Sequence, residues 1–187
     1  MACDKIMLIR HAERPNADKS LRGVGFDGRK DKESLTVRGW QRAGALARFF
    51  APVDDHFAQQ GLARPASLYA CKAAPEDPSL RPQHTLVPLA ELLEVELNRD
   101  HFSGDEIALV KDMQSGEGPA LVAWKHDGMH LIANAILRDA TTAPQHWPIA
   151  VTISSGFSTG AASAGRFRRS RSFCSPATAP SRSHEVR

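Results

Sequence analysis

The stretch KIMLIRHAER, residues 5–14, decides the fold of this 187-residue chain. Ile6 to Ile9 form a continuous apolar run, the pattern of a strand that is covered on both faces. The run leads directly into the polar and charged residues Arg10, His11, Glu13 and Arg14. Ligands of open α/β sheets bind outside the carboxyl ends of the strands. We therefore expect a binding edge at the end of this first strand.

Further apolar runs alternate with segments of helical periodicity along the chain. Ser67–Ala70 and Ala120–Trp124 predict two more strands. Ser103 and Glu106 form a possible capping box for one of the helices. Helices are predicted over residues 36–50, 88–94, 103–113 and 129–139. This alternation predicts an α/β protein, a three-layer sandwich around a mostly parallel sheet.

The first predicted helix is amphipathic and follows a long polar loop. The loop covers residues 16–34 and is rich in glycine, and long loops in compact domains often serve function. Arg38 and Arg42 are predicted on the solvent side of the helix, and Pro52 ends it. The predicted core side comprises Val37, Trp40, Ala43, Gly44, Ala47 and Phe50.

Charge is unevenly distributed along the chain. Of its 24 basic and 21 acidic residues, six arginines and one glutamate lie after residue 148, so residues 1–148 carry a net charge of −2 and the tail +5. The tail has no aromatic stacking platform, so we do not expect nucleic-acid binding. The absence of a signal-peptide pattern and of an 18-residue apolar run favours a cytoplasmic protein that does not bind membranes.

Two histidines at predicted strand ends indicate nucleophilic chemistry on a phosphoryl group. His11 follows the first strand and His126 follows Ala120–Trp124. A neutral imidazole can attack phosphorus, giving a transient phosphohistidine, and arginine side chains bind phosphate oxygens in bidentate fashion. Alternatively, an Arg-His pair after a strand is only a solvated strand end, and the spacing alone does not decide between the two.

The ordered motifs resemble the histidine phosphatase superfamily, the phosphoglycerate mutase-like proteins, and in particular its small bacterial "RHAE"-type members. LIRHAERP is similar to the family's Arg-His-Gly signature, with Ala12 in place of glycine. SLTVRGWQRAGALARFF is similar to the helix that follows, and SLRPQHTLVPLAELL to the segment with a further phosphate-binding arginine. ALVAWKHDGMHLIANAIL is similar to the strand, second histidine and helix. The resemblance covers residues 5–148, and we predict a domain over 1–148.

The resemblance implies a role for each candidate residue. His11 would be the nucleophile, and His126 would complete the phosphate pocket. Asp127 would be the general acid, although it could instead cap the following helix, and Glu13 is the other candidate acid. The substrate-binding residues would be Arg10, Arg14 and Arg81. No metal or cofactor is implied, and the substrate would be a phosphorylated small molecule or a phosphoprotein.

Other functions compete with a phosphohydrolase. A phosphomutase would use the same pocket, and an inactive phosphate-binding protein would keep the arginines without turnover. A metallohydrolase is suggested by His126 and His130, which have the spacing of the HExxH motif. Gly128 and the preceding strand, however, place His126 before the helix, so the two histidines would not share a helix face. Lys72, in the loop before Arg81, either approaches the phosphate or is solvated.

The composition changes after Pro148, and we predict that residues 149–187 form a poorly ordered basic tail read in a shifted frame. With permissible synonymous codons, and with a Thr152 codon that ends in G and an Arg168 codon that ends in C, the shifted frame of residues 153–159 can encode DLVWFFD and that of residues 169–178 can encode QVPQLLLAGD. Both segments resemble late strands of the family. The sheet is then expected to lack its last strands and to expose apolar surface. A coding DNA whose shifted frame lacks these segments would contradict the hypothesis.

Overall fold

A six-stranded sheet with helices on both faces forms the fold. The computed structural model describes residues 3–15, 21–57, 61–146, 155–158 and 166–169. The strands are β1 (Lys5–Arg10), β2 (Ser67–Ala70), β3 (Leu97–Asn98), β4 (Ala120–Trp124), β5 (Ser155–Ser158) and β6 (Arg166–Arg169). The helices are α1 (Val37–Phe50), α2 (Arg81–Leu93), α3 (Glu106–Ser115) and α4 (Met129–Leu137).

The strand order β3-β2-β4-β1-β5-β6 places β1 and β4 side by side in the interior of the sheet. The pairs β1–β4, β4–β2 and β2–β3 are parallel, whereas β5 and β6 are antiparallel to their neighbours. This is the mostly parallel α/β sheet that the sequence predicts. β3 is an additional strand of two residues that the apolar pattern did not reveal.

Alternate side chains of the central strands enter two separate cores. Ile6 and Leu8 of β1 pack with α3 and α4 on one face. Met7 and Ile9 pack with α1 and α2 on the other. All four side chains have no exposed surface, which confirms that the apolar run forms a strand covered on both faces. The result is the predicted three-layer sandwich.

Helix α2 begins seven residues before the predicted start at residue 88. It starts at Arg81 with Pro82 in its first turn, where proline is tolerated, and Pro88 lies inside the helix. The prediction placed Pro88 in the first turn because an internal proline removes a backbone hydrogen bond. Burial of Leu86 and Leu89 against the sheet compensates for that loss. This earlier start places Arg81 at the helix N-terminus.

The predicted capping box at α3 is wrong. The helix begins at Glu106, Asp105 is its N-cap residue, and no side chain caps it. The Glu106 carboxylate accepts hydrogen bonds from the Trp124 indole N–H (3.0 Å) and the Gly104 backbone N–H (3.1 Å). A buried indole N–H needs an acceptor, and this tertiary partner replaces the local capping contact. Helix α4 ends at Leu137, two residues before the predicted end.

Helix α1 begins where the sequence predicts, but its buried side is rotated. The Thr36 hydroxyl caps the helix by accepting a hydrogen bond from the Gly39 N–H at 3.1 Å. Val37 is 60% exposed and Gly44 is also exposed, whereas Gly39 is buried. Gly39 packs directly against the backbone of Glu13, and Glu13 follows His11 by two residues in the chain. A side chain there would separate the helix from the loop that carries His11.

We expect Gly39→Ala to lower the free energy of unfolding by about 1–3 kcal/mol, because overpacking forces the backbone apart. The added Cβ would lie 2.7 Å from the Glu13 carbonyl oxygen. Gly44→Ala in the same helix is the matched control, since a Cβ there meets nothing within 4 Å. That control should be stabilised by about 0.5–1 kcal/mol. Urea unfolding measures both variants, and equal effects would contradict this close packing.

The structure differs from the prediction that the sheet lacks its last strands. The backbone of β5 pairs with β1 from Leu8↔Ser155 to Lys5↔Ser158, and β6 pairs with β5. Strand pairing uses backbone N–H and C=O groups, so an open strand edge can be paired without an apolar side-chain pattern. The edge of β1 is therefore covered. Apart from β5 and β6, the predicted poorly ordered tail lies outside the described residues, and the division at residue 148 stays a prediction.

The described helices include none with the length and apolarity needed to cross a membrane.

Candidate active site

His11 lies at the carboxyl end of β1, next to the end of β4. The register Arg10↔Trp124 and a 3.2 Å hydrogen bond from the His11 N–H to the Trp124 carbonyl align the two strand ends. His126 follows Trp124 by two residues, so both histidines belong to the same edge of the sheet. The predicted site requires His11 and His126 to lie at neighbouring strand ends, and the pairing of β1 with β4 meets this requirement.

The His11 ring is oriented by its own backbone. Its Nδ1 lies 2.7 Å from the Ala12 carbonyl oxygen, which can only accept a hydrogen bond. Nδ1 therefore carries the proton, and Nε2 of the neutral ring holds the free lone pair. His11 is 9% exposed.

Burial and neighbouring cations keep the His11 ring neutral. Burial lowers the pKa of His11 from 6.5 to about 4, although the hydrogen bond to Ala12 opposes this shift. Electrostatic interactions with Arg10, Arg81 and His126 lower this pKa further, so these residues lie within electrostatic range of the ring. The surroundings of His11 combine a neutral base with several cations. This combination favours an anionic ligand.

Arg10 is a buried cation at this edge, and Arg81 is half-buried. Burial and the charge of Arg14 lower the pKa of Arg10, and Asp127 opposes the shift. Burial also lowers the pKa of Arg81, where Glu33 opposes and Arg14 adds to the shift. The predicted binding residues Arg10, Arg14 and Arg81 thus lie within electrostatic range of one another. Arg14 itself is exposed.

Three contacts hold Arg81 at the N-terminus of α2. Its guanidinium donates to the Lys32 carbonyl (2.6 Å) and to the Ser79 hydroxyl (3.1 Å), and it lies 3.9 Å from a carboxylate oxygen of Glu33. The Arg81 Nε is buried and has no hydrogen-bond partner among the described residues. An oxyanion could accept from this N–H.

The two candidate acids have different surroundings. Glu13 forms ion pairs with Arg42 at 2.5 Å and with Arg38 at 3.8 Å, so its carboxylate is held by helix α1. Asp127 is exposed and lies close enough to Arg10 to affect its pKa. It does not cap α4, whose N-cap residue is Gly128 without a side-chain cap. The capping interpretation of Asp127 is therefore wrong.

The prediction that Arg42 lies on the solvent side of α1 is wrong. Its side chain is only 20% exposed and reaches back to Glu13 beside the nucleophile loop. The rotated buried side of α1 explains this position, because the close contact at Gly39 turns Arg42 toward the loop. Arg38 is 59% exposed, as expected.

The remaining groups at this edge are tied to other partners. The Lys72 ammonium lies over the Phe102 ring, 4.8 Å from its centroid. Lys125 is buried and forms an ion pair with Asp77. Burial raises the pKa of Cys71, at the end of β2, to about 11, so its thiol is not an activated nucleophile.

Thr85 is a site residue that the sequence pattern missed. Its hydroxyl accepts from the Ala12 N–H at 2.8 Å and donates to the Arg81 carbonyl at 2.7 Å. One side chain therefore joins the nucleophile loop to the turn of α2 that carries Arg81. The Arg81–Thr85 spacing of one helical turn was visible, but the helix was predicted to start after both residues.

The described residues contain no group of three or more histidine, cysteine, aspartate or glutamate side chains arranged to hold a metal ion. His126 precedes α4 while His130 lies within it, as the sequence predicts, so the two do not share a helix face.

These features define an α/β protein with a histidine and arginine site at the carboxyl edge of its sheet, and solved structures share its fold. SixA, a protein histidine phosphatase complexed with tungstate, matches with a TM-score of 0.54 and 12% identity over 88% of this chain and 94% of that chain. An alpha-ribazole phosphatase from Shigella flexneri matches at 0.54 and 14% identity, over 90% and 96%. A phosphoserine phosphatase from Entamoeba histolytica, in complex with 3-phosphoglyceric acid, matches at 0.56 and 13% identity, over 90% and 97%.

The chain therefore shares the α/β fold of these solved phosphatase structures, which is the fold that its motifs predict. No family sequence profile matches the chain. No curated protein matches it in sequence.

Proposed function

We propose that this protein is a metal-independent phosphohydrolase that acts through a phosphohistidine on a phosphorylated small molecule or a phosphoprotein. The carrying observation is the buried, neutral His11 ring, which has Nδ1 bound to the Ala12 carbonyl and lies within electrostatic range of Arg10, Arg81 and His126. The fold supports the same proposal, because a protein histidine phosphatase and a phosphoserine phosphatase share it.

The chemistry proceeds in two steps. The lone pair on Nε2 of His11 attacks phosphorus, and the bond from phosphorus to the leaving oxygen breaks. The leaving oxygen takes a proton from Asp127, and the arginines stabilise the charge on the phosphoryl oxygens. Water then attacks the phosphohistidine and gives a proton to the Asp127 carboxylate, the N–P bond breaks, and inorganic phosphate leaves, which restores the neutral ring and the acid.

Trapping the intermediate tests this proposal. The full chain is mixed with ³²P-labelled phosphomonoester in the presence of a chelator and quenched in base, because phosphohistidine is unstable in acid. Label on His11, together with hydrolysis of p-nitrophenyl phosphate in the chelator, is expected. Activity that requires added zinc would instead support the metallohydrolase, and phosphate binding without turnover would support the inactive binding protein.

The pH profile should reflect the low pKa of His11. Since this pKa lies at about 4 rather than 6.5, the ring stays unprotonated down to that pH. We therefore expect kcat/KM to fall on the acid side only as the pH drops through about 4. Arg81→Gln removes one neighbouring cation and should move the acid limb to higher pH. An acid limb near 6.5 in the unaltered protein would contradict a buried nucleophile.

Asp127→Asn should act selectively on substrates with poor leaving groups. Alkoxide leaving groups need a proton in the transition state, whereas p-nitrophenolate leaves with little assistance. We expect a loss of about 10²-fold or more in kcat for an alkyl phosphate and a much smaller loss for p-nitrophenyl phosphate. Glu13→Gln is the matched control, and the opposite pattern would make Glu13 the acid.

A further inference from the structure

Phe26, from the loop that precedes α1, forms an aromatic cluster with Trp40 of α1 and His84 of α2. Phe26 is 67% exposed, yet its ring packs 4.7 Å from Trp40 and 4.9 Å from His84, measured between centroids. Trp40 and His84 stack on each other at 5.0 Å. A single exposed phenylalanine is common on protein surfaces, but one held by two further rings forms a defined surface.

Hydrogen bonds within the loop keep these rings in place. The Val24 carbonyl accepts from the Trp40 indole N–H (2.8 Å) and from the Ser34 hydroxyl (2.7 Å). Because the Ser34 proton goes to Val24, the 2.8 Å contact between Ser34 and His84 has Nδ1 of His84 as its donor. These polar atoms are satisfied inside the cluster. The surface that it presents outward is therefore aromatic.

The cluster lies beside the phosphate site proposed above. His84 follows Arg81 by three residues in α2, which places their Cβ atoms about 5–6 Å apart. Both side chains face the same loop, because Arg81 donates to the Lys32 carbonyl and His84 to Ser34. A phosphoryl group bound at Arg81 would thus have an aromatic surface nearby.

We propose that Phe26, supported by Trp40 and His84, binds a planar aromatic group in the leaving portion of the substrate. The substrate class is then an aromatic or nucleobase-bearing phosphomonoester. This inference rests on the proposed phosphohydrolase function. Stacking on Phe26 supplies affinity for a ring, while the arginines hold the phosphoryl group, so the two contacts recognise opposite ends of one molecule.

Two phosphonates that differ only in their organic group separate these contacts. Methylphosphonate reports on the phosphate pocket, and phenylphosphonate adds the ring. Calorimetry on the full chain should show tighter binding of phenylphosphonate. Phe26→Ala should weaken that binding by roughly 3- to 10-fold and leave methylphosphonate unchanged. Phe26→Tyr should retain the preference. Ile107→Ala, at a residue with the same 67% exposure on the opposite helical layer, should change neither.

The possible results distinguish failure of the aromatic subsite from failure of the proposed phosphohydrolase function. Equal binding of both phosphonates to the unaltered protein, or a preference that survives Phe26→Ala, would overturn the aromatic subsite and leave the phosphohydrolase intact. Failure of methylphosphonate and vanadate to bind at all would overturn the proposed function itself, and the subsite with it.

Discussion

His11→Ala is expected to abolish hydrolysis of p-nitrophenyl phosphate, with a loss of at least about 10³-fold in kcat. Cys71 and Lys125 at this edge are not activated to replace it, because the pKa of Cys71 is raised to about 11 and Lys125 is paired with Asp77. The free lone pair on Nε2 exists because Nδ1 is bound to Ala12 and the ring is neutral. The measurement is steady-state turnover together with the yield of trapped phosphoenzyme.

A matched histidine variant distinguishes loss of the nucleophile from general damage. His56 is exposed and lies after α1, so His56→Ala should keep full activity. Vanadate binding should survive in His11→Ala in weakened form, since the arginines remain. If His11→Ala retained most of the turnover, the phosphohistidine mechanism would be wrong.

Arg81→Ala should give the second largest effect, weakening vanadate or phosphate binding by roughly 10- to 150-fold. A hydrogen bond to a charged group contributes about 1.5–3 kcal/mol. The buried Nε of Arg81 lacks a partner among the described residues, so a bound oxyanion would supply one. Arg81→Lys should recover only part of the affinity, because lysine keeps the charge and loses the planar fork. Arg10→Ala should cause a comparable loss.

The control for these arginine variants is Arg48→Ala, at an exposed position in the last turn of α1. Arg42 is unsuitable as a silent control, because it binds Glu13 next to the nucleophile loop. Equal losses in Arg48→Ala and Arg81→Ala would mean that a diffuse basic surface binds the anion. A loss confined to Arg81 and Arg10 would indicate a defined pocket.

Local patterns in the sequence were sufficient to predict the two strands, β1 and β4, that carry His11 and His126 at their ends. Continuous apolar runs predict β1 and β4 because a strand covered on both faces needs apolar side chains at every position. Polar residues directly after those runs place His11 and His126 at the strand ends. The placement of Arg81 beside them followed from resemblance, since its own surroundings predict only a proline-rich loop.

Contacts between distant segments decided what the local patterns could not. The start of α2 depends on burial that outweighs the cost of Pro88, and the orientation of Glu106 depends on the indole of Trp124. The rotation of α1 depends on the close approach of Gly39 to Glu13.

The sequence by itself therefore determined the alternation of β1, β2 and β4 with the helices and the position of His11 at a strand end, because periodicity and polarity are properties of neighbouring residues. Only the tertiary structure decided the tautomer of His11, the bridge that Thr85 makes between Ala12 and Arg81, and the aromatic surface at Phe26. The pKa of His11 depends on burial and on charges from three separate segments of the chain. Such energies depend on distances through space, which sequence separation does not encode.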